Sequence, residues 1–489
     1  MNFRPFLLYL LCPAKKHIVD EEVIVLGAGI AGLSAAYELV KRGIKPTVIE
    51  ARQHLGGLTA AGYVGGVRLD LGAESYALRS AALNNLCAEL GLEVKNPQER
   101  SWIWEGGAAA PIAQGVWGIP SSWEDPAFEM LTAAEYAVAR KDLELASDIG
   151  ADAKTLGELV RTRLGSAVLE KMVAPVAGGV HTADPEILAL SAIAPGIVPA
   201  LRAEGSLIAA VRRLRPKNTP ILGQPVGGMH QVAFMLAQQI EKCGGKIRRG
   251  LIATDLLHDK NGFSILVAKS AGTRAKPRPV RGSEEVITAP KLLIAVDGVS
   301  ALGLLRKISP LDIPAAWKVP QGAKIAGVTL IIKDPALDAA PRGSGALIEP
   351  SAVAVKGRVV EAKALTHYSV KWPWAADALA KVHGGSTHAI RLSYGRSTQQ
   401  LPYPAVREAF LDAQAVLDCE IAAENLLDAR IVSWGASLSP QTPTHRKNLE
   451  CLTEQLAQIP GLAATGAWIA GTGLGAVVTH AVKTGAEFA

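Results

Sequence analysis

The stretch GAGIAG at 27–32 is where residue type and spacing first suggest chemistry. Three glycines at this spacing divide the work of holding a pyrophosphate. Gly27 makes a tight turn, Gly29 lets phosphate approach the backbone, and Gly32 lets a helix pack closely on a strand. Ile30 and Ala31 open that helix, whose N-terminus faces the phosphates. Glu50 follows roughly 20 residues on, where a carboxylate reaches ribose hydroxyls. The pattern reads as a dinucleotide site and leaves NAD and FAD both open. Other candidates fall short. His383 and His388 lie five apart without a third ligand, so no metal site is expected. HGGS (383–386) resembles an oxyanion loop, but no GxSxG elbow occurs, and Gly245-Lys246 lacks the rest of a Walker A loop.

The elements around the motif agree with it. VIVL (23–26) is a short β-branched run suited to a strand buried on both faces. From Ile30 the apolar positions Leu33, Tyr37 and Val40 recur at helical spacing, with Glu38, Lys41 and Arg42 on the other face and Gly43 as the stop. A second strand is expected over 46–49.

Composition sets the frame. The 489 residues leave room for two or three domains, and 49% apolar with 20% charged residues is a globular balance. No apolar run reaches the roughly 20 residues of a membrane-spanning helix. The net charge of +6 is spread along the chain, which permits an anionic substrate and does not call for nucleic acid. Five scattered cysteines without a CxxC pair fit a reducing cytoplasm. The N-terminal MNFRPFLLYLLCPAKKH faintly imitates a signal peptide but has a short apolar core and no cleavage site. It reads as a loosely docked extension, with peripheral contact to the inner face of the membrane as its membrane role.

The continuation EARQHLGG (50–57) and VRLDLGAES (67–75) resembles the FAD-dependent amine oxidase, phytoene desaturase and protoporphyrinogen oxidase superfamily. The resemblance makes the cofactor FAD. It implies an α/β fold, with a Rossmann-like FAD-binding domain assembled from discontinuous segments, a mixed-sheet substrate domain and a helical cap. It extends the cofactor set to Ala51, Arg52, Gly56, Gly57, Leu58, Gly72, Ala73, Glu74, Ser75, Ile252, Gly471, Ala476, Val477 and Val478. Leu58 departs from the pattern, which usually has Arg or Lys there. Two return segments, a glycine turn, helix and strand from 227 and a strand and turn in APKLLIAVDGVSALGLL (289–305), are expected to complete the domain. WIAGTGLGAVVTHAVKTG (468–485) reads as strand, glycine turn and helix.

Within the superfamily, GAESYALRSAALNNLCAELGLE, APVAGGVHTADPEILALSAIAP, EGSLIAAVRRL, GSGALIEP and HYSVKWPW resemble the bacterial porphyrinogen oxidases of heme biosynthesis. His181 departs from the Tyr or Phe common in the GV-x-x-ADP element, and AAPIAQG (109–115) from a stretch with leucine and proline. The resemblance implies oxidation of coproporphyrinogen III to coproporphyrin III, or of protoporphyrinogen IX by the same chemistry. Hydride would pass to flavin N5, and molecular oxygen would reoxidise the flavin to give hydrogen peroxide. No single general base is required. Two other readings stay open: a flavin oxidase of amines or polyenes, and a non-catalytic binding protein of the same fold.

Propionates entering a cleft need cationic partners, and arginine can bind them bidentately. Arg79 and Arg100 are the first candidates, with Lys371, Arg391 and Arg396 weaker ones on the expected substrate sheet. Val328 and Leu347 read as sheet core before cleft lining. The organisation expected is an extension at 1–20, an FAD domain from 21–98, 223–308 and 427–489, a mainly helical cap at 99–222, which the resemblance makes a membrane-contacting domain, and a substrate domain at 309–426.

Overall fold

The computed structural model describes residues 18–181, 184–190, 194, 196–215, 221–272, 277–320, 322–349, 351, 353–395, 403–437, 442–471 and 473–489. Arg396 lies outside them. Near the N-terminus run β1 (Val23–Leu26), α1 (Ile30–Lys41) and β2 (Pro46–Glu50). Far along the chain come α2 (His230–Lys242), β3 (Lys246–Arg249), β4 (Lys291–Ile294), β5 (Leu462–Ala464) and α3 (Leu474–Phe488). The five strands pair in parallel in the order β3-β2-β1-β4-β5, so one sheet is built from three separated stretches, as expected. Both faces of β1 and β2 are buried, as the unbroken apolar run of β1 requires, and β2 buries Thr47 and Glu50 with its apolar residues.

α1 departs from the one-faced helix its sequence suggests. α2 and α3 pack on it from two sides, and a methyl group on Gly485 of α3 would lie 2.6 Å from the Ala35 carbonyl oxygen. Glu38, expected on a solvent face, is 6% exposed and is held by Lys41 at 2.9 Å and Arg42 at 2.6 Å. Gly43, at φ +80°, ends the helix.

A seven-stranded mixed sheet forms the second half, in the order Leu426–Ser437, Ala323–Lys333, Thr387–Tyr394, Ala364–His367, Gly345–Ile348, Ser101–Glu105, Ala108–Pro111. Its membership corrects the expected segment edges. Residues 101–111, read as the start of a helical region, form a hairpin turned by Gly106 and Gly107, both at positive φ, and Trp104 and Ile103 are each 2% exposed. Residues 426–437, read with the FAD piece, pair with Ala323–Lys333 instead. Ile18–Asp20 is a strand parallel to Glu285–Ala289, so the end of the N-terminal extension is part of a sheet. Ala467–Ala470 is a helical turn where a strand was expected; the strand ends at Ala464, and Gly466 at φ +132° breaks the run.

Helices between residues 126 and 214 surround their own core of Leu156, Leu159, Val160, Leu201 and Leu207. At its centre Arg163 and Asp142, both fully buried, form an ion pair at 2.5 Å, and Asp142 also accepts from the Leu207 backbone N–H at 2.8 Å. The GSL element at 205–207 is thereby explained: Gly205 turns at φ +78°, Ser206 caps the next helix, and Leu207 meets the buried carboxylate.

Candidate functional site

The glycines of the first turn fall into two kinds. Gly27 sits at φ +103°, where a methyl group would lie 2.7 Å from the Ala295 carbonyl oxygen, and one on Gly32 would lie 1.9 Å from the Gly27 carbonyl oxygen. Both must be glycine for the turn and helix to pack. Gly29 has an ordinary φ of −70°, and a methyl group there would meet nothing within 4 Å. Packing does not require Gly29; the space above it borders the first turn of α1, which has no side-chain cap. Such bare N–H groups at a helix start hold an anion.

Glu50 stands at the end of β2, 6% exposed. One carboxylate oxygen accepts from the Ala28 N–H and the other from the Arg52 N–H, each at 2.8 Å, which fixes it with lone pairs left for ribose hydroxyls. The Gly56 N–H donates to the Ala28 carbonyl at 2.8 Å, and Gly57 lies against the Gly29 Cα, so the glycine pair flanks the phosphate turn. Leu58 contributes its backbone: its carbonyl accepts from Ala73 N–H at 2.8 Å, and a methyl group on Gly72 would lie 2.0 Å from that oxygen. Ala51, Ser75 and Ile252 are half-buried along this rim, and the Gly250 N–H donates to the Arg52 carbonyl at 3.2 Å.

α3 closes the other end. Its start at Gly473 is uncapped by any side chain and open above, and Gly471 and Ala476 border it. Val477 and Val478 do not face this space. They are 5% and 0% exposed, packed with Val23, Val25 and Leu33, because their helical phase turns them onto the inner side of α3. The bare start of α1, Glu50 and the Gly56-Gly57 loop make a cradle, and the bare start of α3, a helix packed on α1, adds a second anion-facing helix end, a set of groups that fits FAD.

The face of the seven-stranded sheet that carries Arg391 is turned toward this cradle, and Lys371, at the end of the helical turn Tyr368–Lys371, stands beside it. Arg391 donates to the Gly72 carbonyl and to Glu74, both at 2.9 Å, and Lys371 reaches the same carboxylate at 2.5 Å. Glu74, expected at the cofactor, therefore joins two cations expected at the substrate. Burial alone would raise its pKa, but Lys371 and Arg391 hold it below the ordinary value. The trio keeps one net positive charge. Arg391 also lies over the Tyr368 ring, 5.6 Å from its centre.

Behind the trio is a residue that sequence reading missed. Asp70 is fully buried and accepts from the Met229 N–H at 2.7 Å, the His230 N–H at 3.0 Å, Gln224 at 3.2 Å and the Tyr368 hydroxyl at 3.0 Å. Burial and Asp70 push the Tyr368 hydroxyl pKa far up. This hub ties the start of α2 to the KWP segment, and its signal was an acid ending the apolar strand VRLD.

The other expected cations are elsewhere. Arg79 is exposed, one residue before Ser80, which a methyl group on Gly475 of α3 would strike. Arg100 is held by the Ile112 carbonyl at 2.8 Å and by Asp125 at 3.4 Å. His388 pairs with His367 at 2.9 Å and Asp338 at 3.0 Å, while His383 bonds the Gly65 carbonyl at 2.9 Å. Val328 is fully buried core, whereas Leu347 is half-buried on the opposite face.

Residues 30–290 match the family described as flavin containing amine oxidoreductase. Coproporphyrinogen III oxidase of Mycobacterium leprae is 26% identical over 473 residues, covering 94% of this chain and 96% of that protein. The enzyme of the same name from Bacillus subtilis is 24% identical over 487 residues, covering 94% and 95%. A solved structure from Exiguobacterium sp. 255-15, assigned as a protoporphyrinogen oxidase, superposes with a TM-score of 0.73 at 21% identity, covering 96% of this chain and 98% of that one. The chain belongs to the flavin containing amine oxidoreductase family and is an FAD-dependent oxidase.

Proposed function

We propose that this protein oxidises coproporphyrinogen III to coproporphyrin III in heme biosynthesis, with molecular oxygen as acceptor and hydrogen peroxide as by-product. The observation that carries the reading is the Lys371–Glu74–Arg391 cluster, which joins the cation-bearing sheet to the Gly72 end of the FAD cradle, in a chain similar over nearly its whole length to coproporphyrinogen III oxidases. When bound, FAD supplies a two-electron acceptor. The protein's own residues supply position and charge. The Glu50 carboxylate anchors the ribose, the uncapped start of α1 takes the pyrophosphate, and the Gly72–Ser75 segment, clamped by Arg391, borders the reacting end. Lys371, Arg391 and Arg79 receive propionates, and Arg100, held by the Ile112 carbonyl and Asp125, is the fourth candidate. Each two-electron oxidation of the substrate also releases a proton, which passes to solvent, so no single side chain is required as a general base, and aromatisation of the macrocycle supplies much of the driving force.

We place the protein in the cytoplasm. No helix among the described residues is long and apolar enough to cross a membrane, and peripheral contact through the helical region agrees with the exposed Val138, Leu143 and Ile149. The test is anaerobic mixing of the purified holoenzyme with coproporphyrinogen III while the flavin band is followed. Bleaching is expected, and persistent oxidised flavin overturns the reading. The same assay with protoporphyrinogen IX ranks the two porphyrinogens.

A further inference from the structure

Gly327 lies inside the strand Ala323–Lys333, paired on both sides, with an ordinary negative φ. A methyl group there would meet nothing nearer than the Leu392 carbonyl oxygen, at 4.0 Å. Neither backbone conformation nor packing calls for glycine. A glycine is unfavourable in a strand interior, and one that packing does not explain marks a place where another group comes close to the backbone. Gly29, where the pyrophosphate belongs, shows the same combination: ordinary φ and empty space where a side chain would stand.

The neighbours of Gly327 share the property. Across the sheet, Gly327 is opposite Ser393 and Val432, Ser393 is opposite Ala364, and Ala364 is opposite Leu347. Each of these five residues is only half-buried, whereas the alternate residues Val328, Leu392, Leu365 and Ala346 are buried in the core on the other face. Gly327, Ser393, Ala364 and Leu347 span four strands, so at about 4.8 Å spacing they make a shallow floor roughly 15 Å wide. Two residues before Ser393 on its strand, and so on the same face, Arg391 reaches the Gly72 carbonyl. The helix Ala174–His181 packs on the strand Gly345–Ile348 at the other side. The floor is broad, low in relief over Gly327, Ser393 and Ala364, and adjoins the cations.

We infer that Gly327, with Ser393 and Ala364, is the surface on which a face of the macrocycle lies, and that the missing side chain at 327 sets the height of the cleft. The inference rests on the proposed porphyrinogen substrate. A slender amine or polyene would not need four strands of low relief, whereas a tetrapyrrole with ring substituents does. Gly327 is a specificity-determining residue by virtue of what it leaves out.

The test compares wild-type, Gly327→Ala and Gly327→Val holoenzymes. Valine suits a strand, so the fold should be kept. The expected result is an unchanged flavin content and a Tm no lower than wild-type, with the KM for coproporphyrinogen III raised about tenfold in the valine variant and less in alanine. Reduction by dithionite, which needs no floor, should proceed at the wild-type rate. A valine variant with wild-type KM overturns the floor while leaving the proposed function standing. One that loses flavin or Tm gives Gly327 a structural role and also overturns it. Wild-type protein that does not oxidise the porphyrinogen fails the functional reading first, and the floor with it.

Discussion

The two large sheets use glycine in contrasting ways. At the parallel sheet, Gly27 and Gly32 are compelled by protein contacts, so the phosphate turn would distort without them. Gly29 beside them, and Gly327 on the seven-stranded sheet, are compelled by nothing in the protein. Side-chain positions tell the same story. The parallel sheet makes most of its site from backbone groups and one acid within residues 27–57, whereas the charges beside the seven-stranded sheet are drawn together from residues 74, 371 and 391. A site built from backbone is written in consecutive residues, and a site built from distant side chains is not.

The sharpest way to break the contrast is to add a side chain at each glycine of the turn. Gly32→Val would force α1 away from the Gly27 carbonyl, with an expected cost of about 3 kcal/mol and loss of flavin. Gly29→Ala should leave stability within about 0.5 kcal/mol yet also lose flavin. Flavin-to-protein ratio and Tm read both. A Gly29→Ala protein with full flavin would remove the phosphate from that space.

The second expected effect is acid sensitivity in the seven-stranded sheet. His367 is fully buried beside His388, and burial, with the neighbouring imidazole, lowers its pKa to about 3. The unfolded chain, with an ordinary imidazole near 6.5, binds more protons than the fold between those values. Stability is therefore present above pH 6.5 and lost as pH falls toward 3, at up to about 1.4 kcal/mol per unit. His367→Phe should be less stable at neutral pH yet show a flatter fall in Tm from pH 6.5 to 4. An equally steep fall would put the acid sensitivity elsewhere.

Much of the nucleotide half was legible because its signals are local: glycines at fixed offsets, an acid at a strand end, and a helix stop at Gly43. The substrate half hid for physical reasons. AAAP (108–111) has poor strand formers and is held extended by its neighbour Ser101–Glu105. LLDARIVSWGAS (426–437) carries the alternation of a strand, but its partner lies a hundred residues earlier. Val477 and Val478 follow a glycine turn as cofactor residues would, and only the packing of α3 on α1 shows them turned inward. Glu74 and Arg391 each looked like half of a separate site, and pairing is a property of the fold.

That pairing offers the third test. Arg391→Met would leave Glu74 with Lys371 alone and strip a donor from the Gly72 carbonyl, an expected loss of about 2 kcal/mol in chemical unfolding. The Glu74→Gln, Arg391→Met double variant should recover part of it, because the carboxylate is no longer left underpaired. Strict additivity would mean that the two side chains act independently.

The smallest expected effect separates Arg79 from Arg100. Arg100 is bound to the Ile112 carbonyl and Asp125, but its side chain is 36% exposed, so solvent screens the pair and Arg100→Ala should cost under about 1 kcal/mol. Arg79 is more exposed and stands beside the start of α3, so Arg79→Ala should leave stability unchanged. Of the two, Arg79 is freer to turn toward an incoming propionate, and its loss should raise the KM for coproporphyrinogen III more, about threefold against less than twofold, at equal flavin content. The reverse order would assign the propionate to Arg100 and make Asp125 the residue that aims it. In that case Asp125→Asn should raise KM with kcat unchanged, since a less firmly held guanidinium weakens substrate binding without touching the reacting atoms.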